Sequence, residues 1–100
     1  MTPTVDSRVI AELWAVICER ADNPRPESYT TSLLTDKKGI DKVLEKVGEE
    51  STEFILAIKN GVNERTIEET ADLLFHLLVA LRAADIDLND VMKELEHRRK

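Results

Sequence analysis

Apolar positions recur at helical spacing through most of the chain, and turn-forming residues interrupt them. Val9, Leu13, Val16 and Ile17 share one face, with Ile10 and Trp14 beside it, which predicts a first helix over 7–21. Asp6 or Ser7 is placed to cap its first amides. Asn23-Pro24-Arg25-Pro26 stops it, because two prolines cannot continue the hydrogen-bond ladder. Segment 27–35, ESYTTSLLT, holds no sustained period and reads as a loop, either a functional one or a simple connector. Ile40, Val43, Leu44, Val47, Phe54 and Ile58 then form the stripe of a second helix over 37–59, with Asp36 as its cap and small Ser51 filling the remaining place. Gly48 sits inside it at a cost of about 1 kcal/mol relative to alanine. Close approach of another backbone or a ligand would account for it, and so would simple tolerance.

Asn60-Gly61 predicts a left-handed helix cap, and a third helix follows over 63–84. Its centre, LLFHLLVAL, is apolar on nearly every side and must be covered all round. Three short companions struggle to do so, which predicts a homodimer with this helix at its centre. Residues 85–87 make a turn, and Asp87 caps a last helix to about Arg98 with Leu88, Val91, Met92 and Leu95 as its stripe. The tail His97-Arg98-Arg99-Lys100 puts positive charge near the negative end of that helix. The expectation is an all-α domain of four to five helices over 1–100, built on a central antiparallel helix hairpin and paired into a helical-bundle dimer.

With 100 residues the chain buries roughly two-thirds of its unfolded surface, a thin margin that pairing would improve. Scarce glycine, proline and aromatic residues favour helix over sheet. A net charge of −6 makes the chain a poor ligand for a nucleic-acid polymer. It does not exclude small phosphorylated substrates, since a bound divalent cation reverses the local sign. Cys18 is the single cysteine, so no internal disulfide can form, and its apolar helical surroundings make it a small core residue. The start MTPTVDSRVI lacks the apolar run of a signal peptide. Asp72, His76 and Arg82 break the longest apolar run, 71–84, so no membrane span is expected and a cytoplasmic location is.

Acidic residues concentrate in GEESTEF (48–54) and EETAD (68–72). Helical spacing places Glu49, Glu50 and Glu53 in one sector, and Glu69 and Asp72 on one face of the next helix. Folding the hairpin near Gly61 brings the clusters to similar heights. Like charges one turn apart each cost about 0.2–0.5 kcal/mol at a helix surface, and more between packed helices. A hard divalent cation removes that cost. Magnesium prefers carboxylate oxygens and keeps waters that substrate phosphates can replace, so the five acids read as a magnesium cradle. A solvated acidic face is the alternative for either cluster alone. A carboxylate-bridged iron site would want Glu-x-x-His on the helices; His76 has Leu73 at that place, and Glu94 with His97 matches alone near a helix end. His76 itself reads as a satisfied core histidine or as a hydrogen-bonding partner of Asp72. Lys42 and Lys46 lie one turn apart ahead of the first cluster, with Lys37 and Lys38 at the helix start, spaced either for phosphate or for surface pairing such as Lys46 with Glu50.

The pattern Glu49-Glu50-x-x-Glu53 followed by Glu69-x-x-Asp72 resembles the MazG-like all-α nucleoside triphosphate pyrophosphatases. SYTTSLL, KGIDKVLEKVGEESTEF and EETADLLFHLLV are more closely similar to the phosphoribosyl-ATP pyrophosphohydrolase family of histidine biosynthesis, over about 13–98. That resemblance implies magnesium-dependent hydrolysis of phosphoribosyl-ATP to phosphoribosyl-AMP and pyrophosphate. It implies Glu50, Glu53, Glu69 and Asp72 as metal ligands, with Glu49 holding a further ion or orienting the attacking water. Lys42 and Lys46 become candidates for phosphate contacts, and Ser28, Tyr29 and Thr30 for the ribose-phosphate end. It also implies a functional link to a phosphoribosyl-AMP cyclohydrolase carried on a separate protein. The competing expectations are a housecleaning pyrophosphatase of free nucleoside triphosphates, and a non-catalytic helical dimerisation module.

Overall fold

A computed structural model describes residues 3–99, and Lys100 of the cationic tail lies outside the described residues. The described residues form five helices and no strand: α1 (Arg8–Asp22), α2 (Tyr29–Leu34), α3 (Ile40–Asn60), α4 (Asn63–Ala83) and α5 (Leu88–Arg98). The all-α architecture and the hairpin agree with the sequence reading. α3 and α4 form the most extensive packing in the fold, α1 and α2 close over α4, and α2 also touches α3.

Local chemistry accounts for the helix ends. Gly61 adopts the left-handed conformation (φ 70°, ψ 22°) that closes α3, and its amide donates to the Ala57 and Ile58 carbonyls. At the end of α4 the same conformation falls on Asp85 (φ 57°), and the Ile86 amide donates back to the Leu81 carbonyl. Asp87 caps α5 through the Asn89 amide. Asp6, rather than Ser7, caps α1: its carboxylate accepts from the Arg8 amide and guanidinium, while the Ser7 side chain makes no cap bond.

Three expectations are corrected. Segment 27–35 is not a loop but holds α2, started by Ser28 accepting from the Thr31 amide and anchored by buried Thr30, Thr31 and Leu33. α3 begins at Ile40 rather than Lys37. Asp36 caps a separate turn, accepting from the Lys38 amide, and Gly39 at φ 64° redirects the chain into the helix. In α1 the face turned inward is Ile10, Leu13, Trp14 and Ile17, leaving Val9 and Val16 exposed.

The core is small. Ile17, Leu33, Val43, Leu78, Val79 and Leu88 are its buried members, gathered from every helix. Much of the remaining apolar stripe faces out: Ile40, Leu44, Leu74, Leu77, Met92 and Leu95 line an open apolar groove of about 500 Å³ along α3, α4 and α5. The Cα radius of gyration is 14.8 Å, against about 13 Å for a compact domain of this length. Beyond Leu88 and Val91, α5 stands largely clear of the core. Among the described residues no helix is long and apolar enough to cross a membrane.

Candidate metal centre

The hairpin turn at Gly61 sets the heights of the acids on its two arms. Glu50 on α3 and Glu69 and Asp72 on α4 each offer a carboxylate oxygen, and the three oxygens lie within 4.8 Å of one another. Glu50 and Glu69 are drawn into the helix interface, with side chains 13% and 7% exposed, while Asp72 opens to solvent. Burial pushes the Glu69 carboxyl above its ordinary range; Asp72, Glu50 and Glu53 push it the same way, and Arg65 opposes them. Three hard oxygen donors converging from two helices suit a hard divalent cation, which prefers oxygen ligands.

Glu49 and Glu53 stand outside this trio. Glu49 is exposed and accepts from Lys46 at 3.1 Å. Glu53 is also exposed, close enough for its charge to act on Glu69. Lys46 lies 3.5 Å from Glu50 as well, so the surface pairing allowed by the sequence is present. The hydrogen bond to Glu49, ahead of the nearby Tyr29 and Glu50, holds the Lys46 ammonium above its usual range despite some burial. Lys42 is half-buried and makes no ion pair among the described residues. Arg65, not anticipated from the sequence, contacts Glu69 from one turn earlier on α4 and reaches Glu68 at 3.4 Å. Its i, i+4 spacing to Glu69 was the available signal.

α2 packs against both arms of the hairpin. Ser28 spends an oxygen lone pair on the helix cap, Thr30 is buried, and Tyr29 is about half exposed. The Tyr29 hydroxyl lies 3.1 Å from His76 Nε2, and His76 Nδ1 lies 2.7 Å from the Asp72 main-chain carbonyl. Tyr29 stacks on Phe75 at 6.0 Å and meets His76 edge-on at 5.9 Å. His76 is therefore a satisfied core histidine, 5% exposed, bonded to the backbone of Asp72 rather than to its carboxylate. The large apolar groove shares no residue with the acid trio. Among the described residues outside its own helix backbone, no atom lies within 4 Å of where a Gly48 Cβ would stand, so close approach by them does not explain it. Cys18 is half-buried rather than a core residue, at the rim of a shallow pocket with Trp14, Arg82 and Asp87.

Comparison with known proteins places this geometry in context. A family model described as phosphoribosyl-ATP pyrophosphohydrolase matches residues 10–99. A phosphoribosyl-ATP pyrophosphatase of Methanoregula boonei is 76% identical over 96 residues, covering 96% of this chain and 92% of the relative. Its counterpart in Methanosphaerula palustris is 62% identical, covering 95% and 96%. One in Methanosarcina barkeri is 42% identical, covering 96% and 92%.

Proposed function

Because the chain belongs to the phosphoribosyl-ATP pyrophosphohydrolase family, we propose that it hydrolyses phosphoribosyl-ATP to phosphoribosyl-AMP and pyrophosphate in histidine biosynthesis, with magnesium held by its own carboxylates. The observation that carries the chemistry is the convergence of Glu50, Glu69 and Asp72 from two helices. These three would hold the ion. When bound, magnesium supplies positive charge to the polyphosphate and acidity to water.

The other residues would take supporting roles. Glu53 and Glu49, exposed and outside the trio, would hold a further ion or receive the proton of the attacking water as the bond between the α-phosphorus and its bridging oxygen breaks. Lys42 and Lys46, along α3, meet phosphate oxygens. Tyr29 is the exposed contact on α2, and Ser28 and Thr30 set that helix in place. The apolar groove along α3, α4 and α5 pairs with a second copy, giving a homodimer, and the assembly works in the cytoplasm.

The test is pyrophosphate release from phosphoribosyl-ATP in magnesium, comparing the natural protein with Glu53→Gln and Asp72→Asn. Release by the natural protein, lost in Asp72→Asn and strongly reduced in Glu53→Gln, is expected. Efficient hydrolysis of deoxynucleoside triphosphates without hydrolysis of phosphoribosyl-ATP would overturn the reading.

A further inference from the structure

Tyr29 and His76 are joined by a hydrogen bond whose direction follows from their neighbours. The Asp72 carbonyl, 2.7 Å from His76 Nδ1, can only accept, so Nδ1 carries the proton. In the neutral imidazole Nε2 is then an acceptor, and the Tyr29 hydroxyl at 3.1 Å must donate to it. That inward bond uses the one proton the phenol has, so the exposed side of its oxygen offers lone pairs alone. Phe75 stacks on the Tyr29 ring, and the acceptor His76 is almost wholly buried.

Resting on the function proposed above, we infer that His76 is a positioning residue that commits the Tyr29 proton inward, so that Tyr29 meets the substrate as a hydrogen-bond acceptor. Its partner is then a donor group of the substrate, of which the ribose hydroxyls are the most numerous, and not a phosphate oxygen, which is itself an acceptor. The bond to the Asp72 main chain registers the pair on the helix that carries two of the three clustered acids. Substrate placement and ion placement thus share one turn of α4.

Two measurements test this. The first is independent of activity: nitrogen NMR of the His76 ring is expected to show a protonated Nδ1 and an unprotonated Nε2, and the opposite tautomer would overturn the inference even in an active enzyme. The second is steady-state kinetics with phosphoribosyl-ATP and magnesium. Tyr29→Phe and His76→Asn are each expected to raise KM by roughly fivefold to tenfold, the loss of about one uncharged hydrogen bond, with kcat little changed. The double variant is expected to be no worse than either single one. His76→Gln, whose amide oxygen reaches the Nε2 position, is expected to restore most of the loss. Inhibition by magnesium pyrophosphate, which has phosphate oxygens and no ribose, is expected to be unchanged in Tyr29→Phe. Weaker pyrophosphate inhibition, multiplying losses in the double variant, or an altered magnesium requirement in His76→Asn would each overturn it. An inactive natural protein would instead refute the proposed reaction, leaving the tautomer to decide the hydrogen-bond direction.

Discussion

Glu50 and Glu69 stand on opposite arms of the α3–α4 hairpin, yet each turns a carboxylate oxygen into the same small space beside Asp72. Both are largely removed from water, and each touches a cation, Lys46 and Arg65 respectively. A buried acid pair of this kind is costly unless positive charge is close. The two ion pairs supply part of it, and the geometry leaves room for a metal to supply the rest.

Glu69→Gln separates these contributions. It keeps the shape of the buried side chain and removes one charge from a crowded site. The natural protein at 100 times the magnesium dissociation constant should gain about 2.7 kcal/mol, which at about 4–8 °C per kcal/mol raises Tm by ten degrees or more. Glu69→Gln should lose that magnesium-dependent rise and at least the roughly 10–100-fold in kcat/KM that removing a mere orienting partner of a metal ligand costs. Thermal melts with and without magnesium, paired with pyrophosphate release, check both.

Gly48→Ala addresses the glycine inside α3. Among the described residues nothing lies where its methyl group would go, and Gly48 is not in a left-handed conformation. Alanine should therefore stabilise the helix by about 0.5–1 kcal/mol, raising Tm by a few degrees with kcat/KM unchanged. A lower Tm at fixed protein concentration would mean that another molecule's backbone passes over this position.

The hairpin and its acids were legible because long helices repeat their pattern often enough to be read. Glu50, Glu69 and Asp72 could be put on facing sides from spacing and from the Gly61 turn alone. α2 was not legible: six residues make fewer than two turns, and its existence depends on the Ser28 cap and on burial of Leu33 against distant helices. Spacing likewise could not separate Glu50 from its exposed neighbours Glu49 and Glu53, because a few tens of degrees of helix rotation decide which carboxylate enters the interface. The Tyr29–His76 bond joins residues far apart in the chain, where no periodicity operates.

Leu74→Glu with Leu77→Glu tests the proposed pairing. Both leucines are 40–45% exposed on a helix whose other side forms the core, and both line the apolar groove. Contiguous apolar surface of this kind marks an interaction site. Light scattering should give the dimer mass for the natural protein and the monomer mass for the double variant. Helical content should be retained, since neither side chain is among the buried core residues.

Cys18 provides a probe of α1 packing away from the acidic cluster. Burial is the main influence on its thiol and pushes its pKa up; Asp22 and Asp87 add to the shift, and Arg82 opposes it. Alkylation by iodoacetamide near about pH 8.5, the ordinary thiol value, should thus be slower in the folded protein than in urea, and its pH–rate curve should be displaced to higher pH. The sign for stability follows from the same shift. A folded-state pKa above the unfolded one contributes stability fully below the unfolded value and loses it as pH rises through the folded value. Denaturant midpoints should therefore fall across the alkaline range in the natural protein and fall less in Cys18→Ala. Equal slopes in the two proteins, or a folded thiol that alkylates as fast as the unfolded one, would show that the pocket beside Trp14 and Arg82 is open to water.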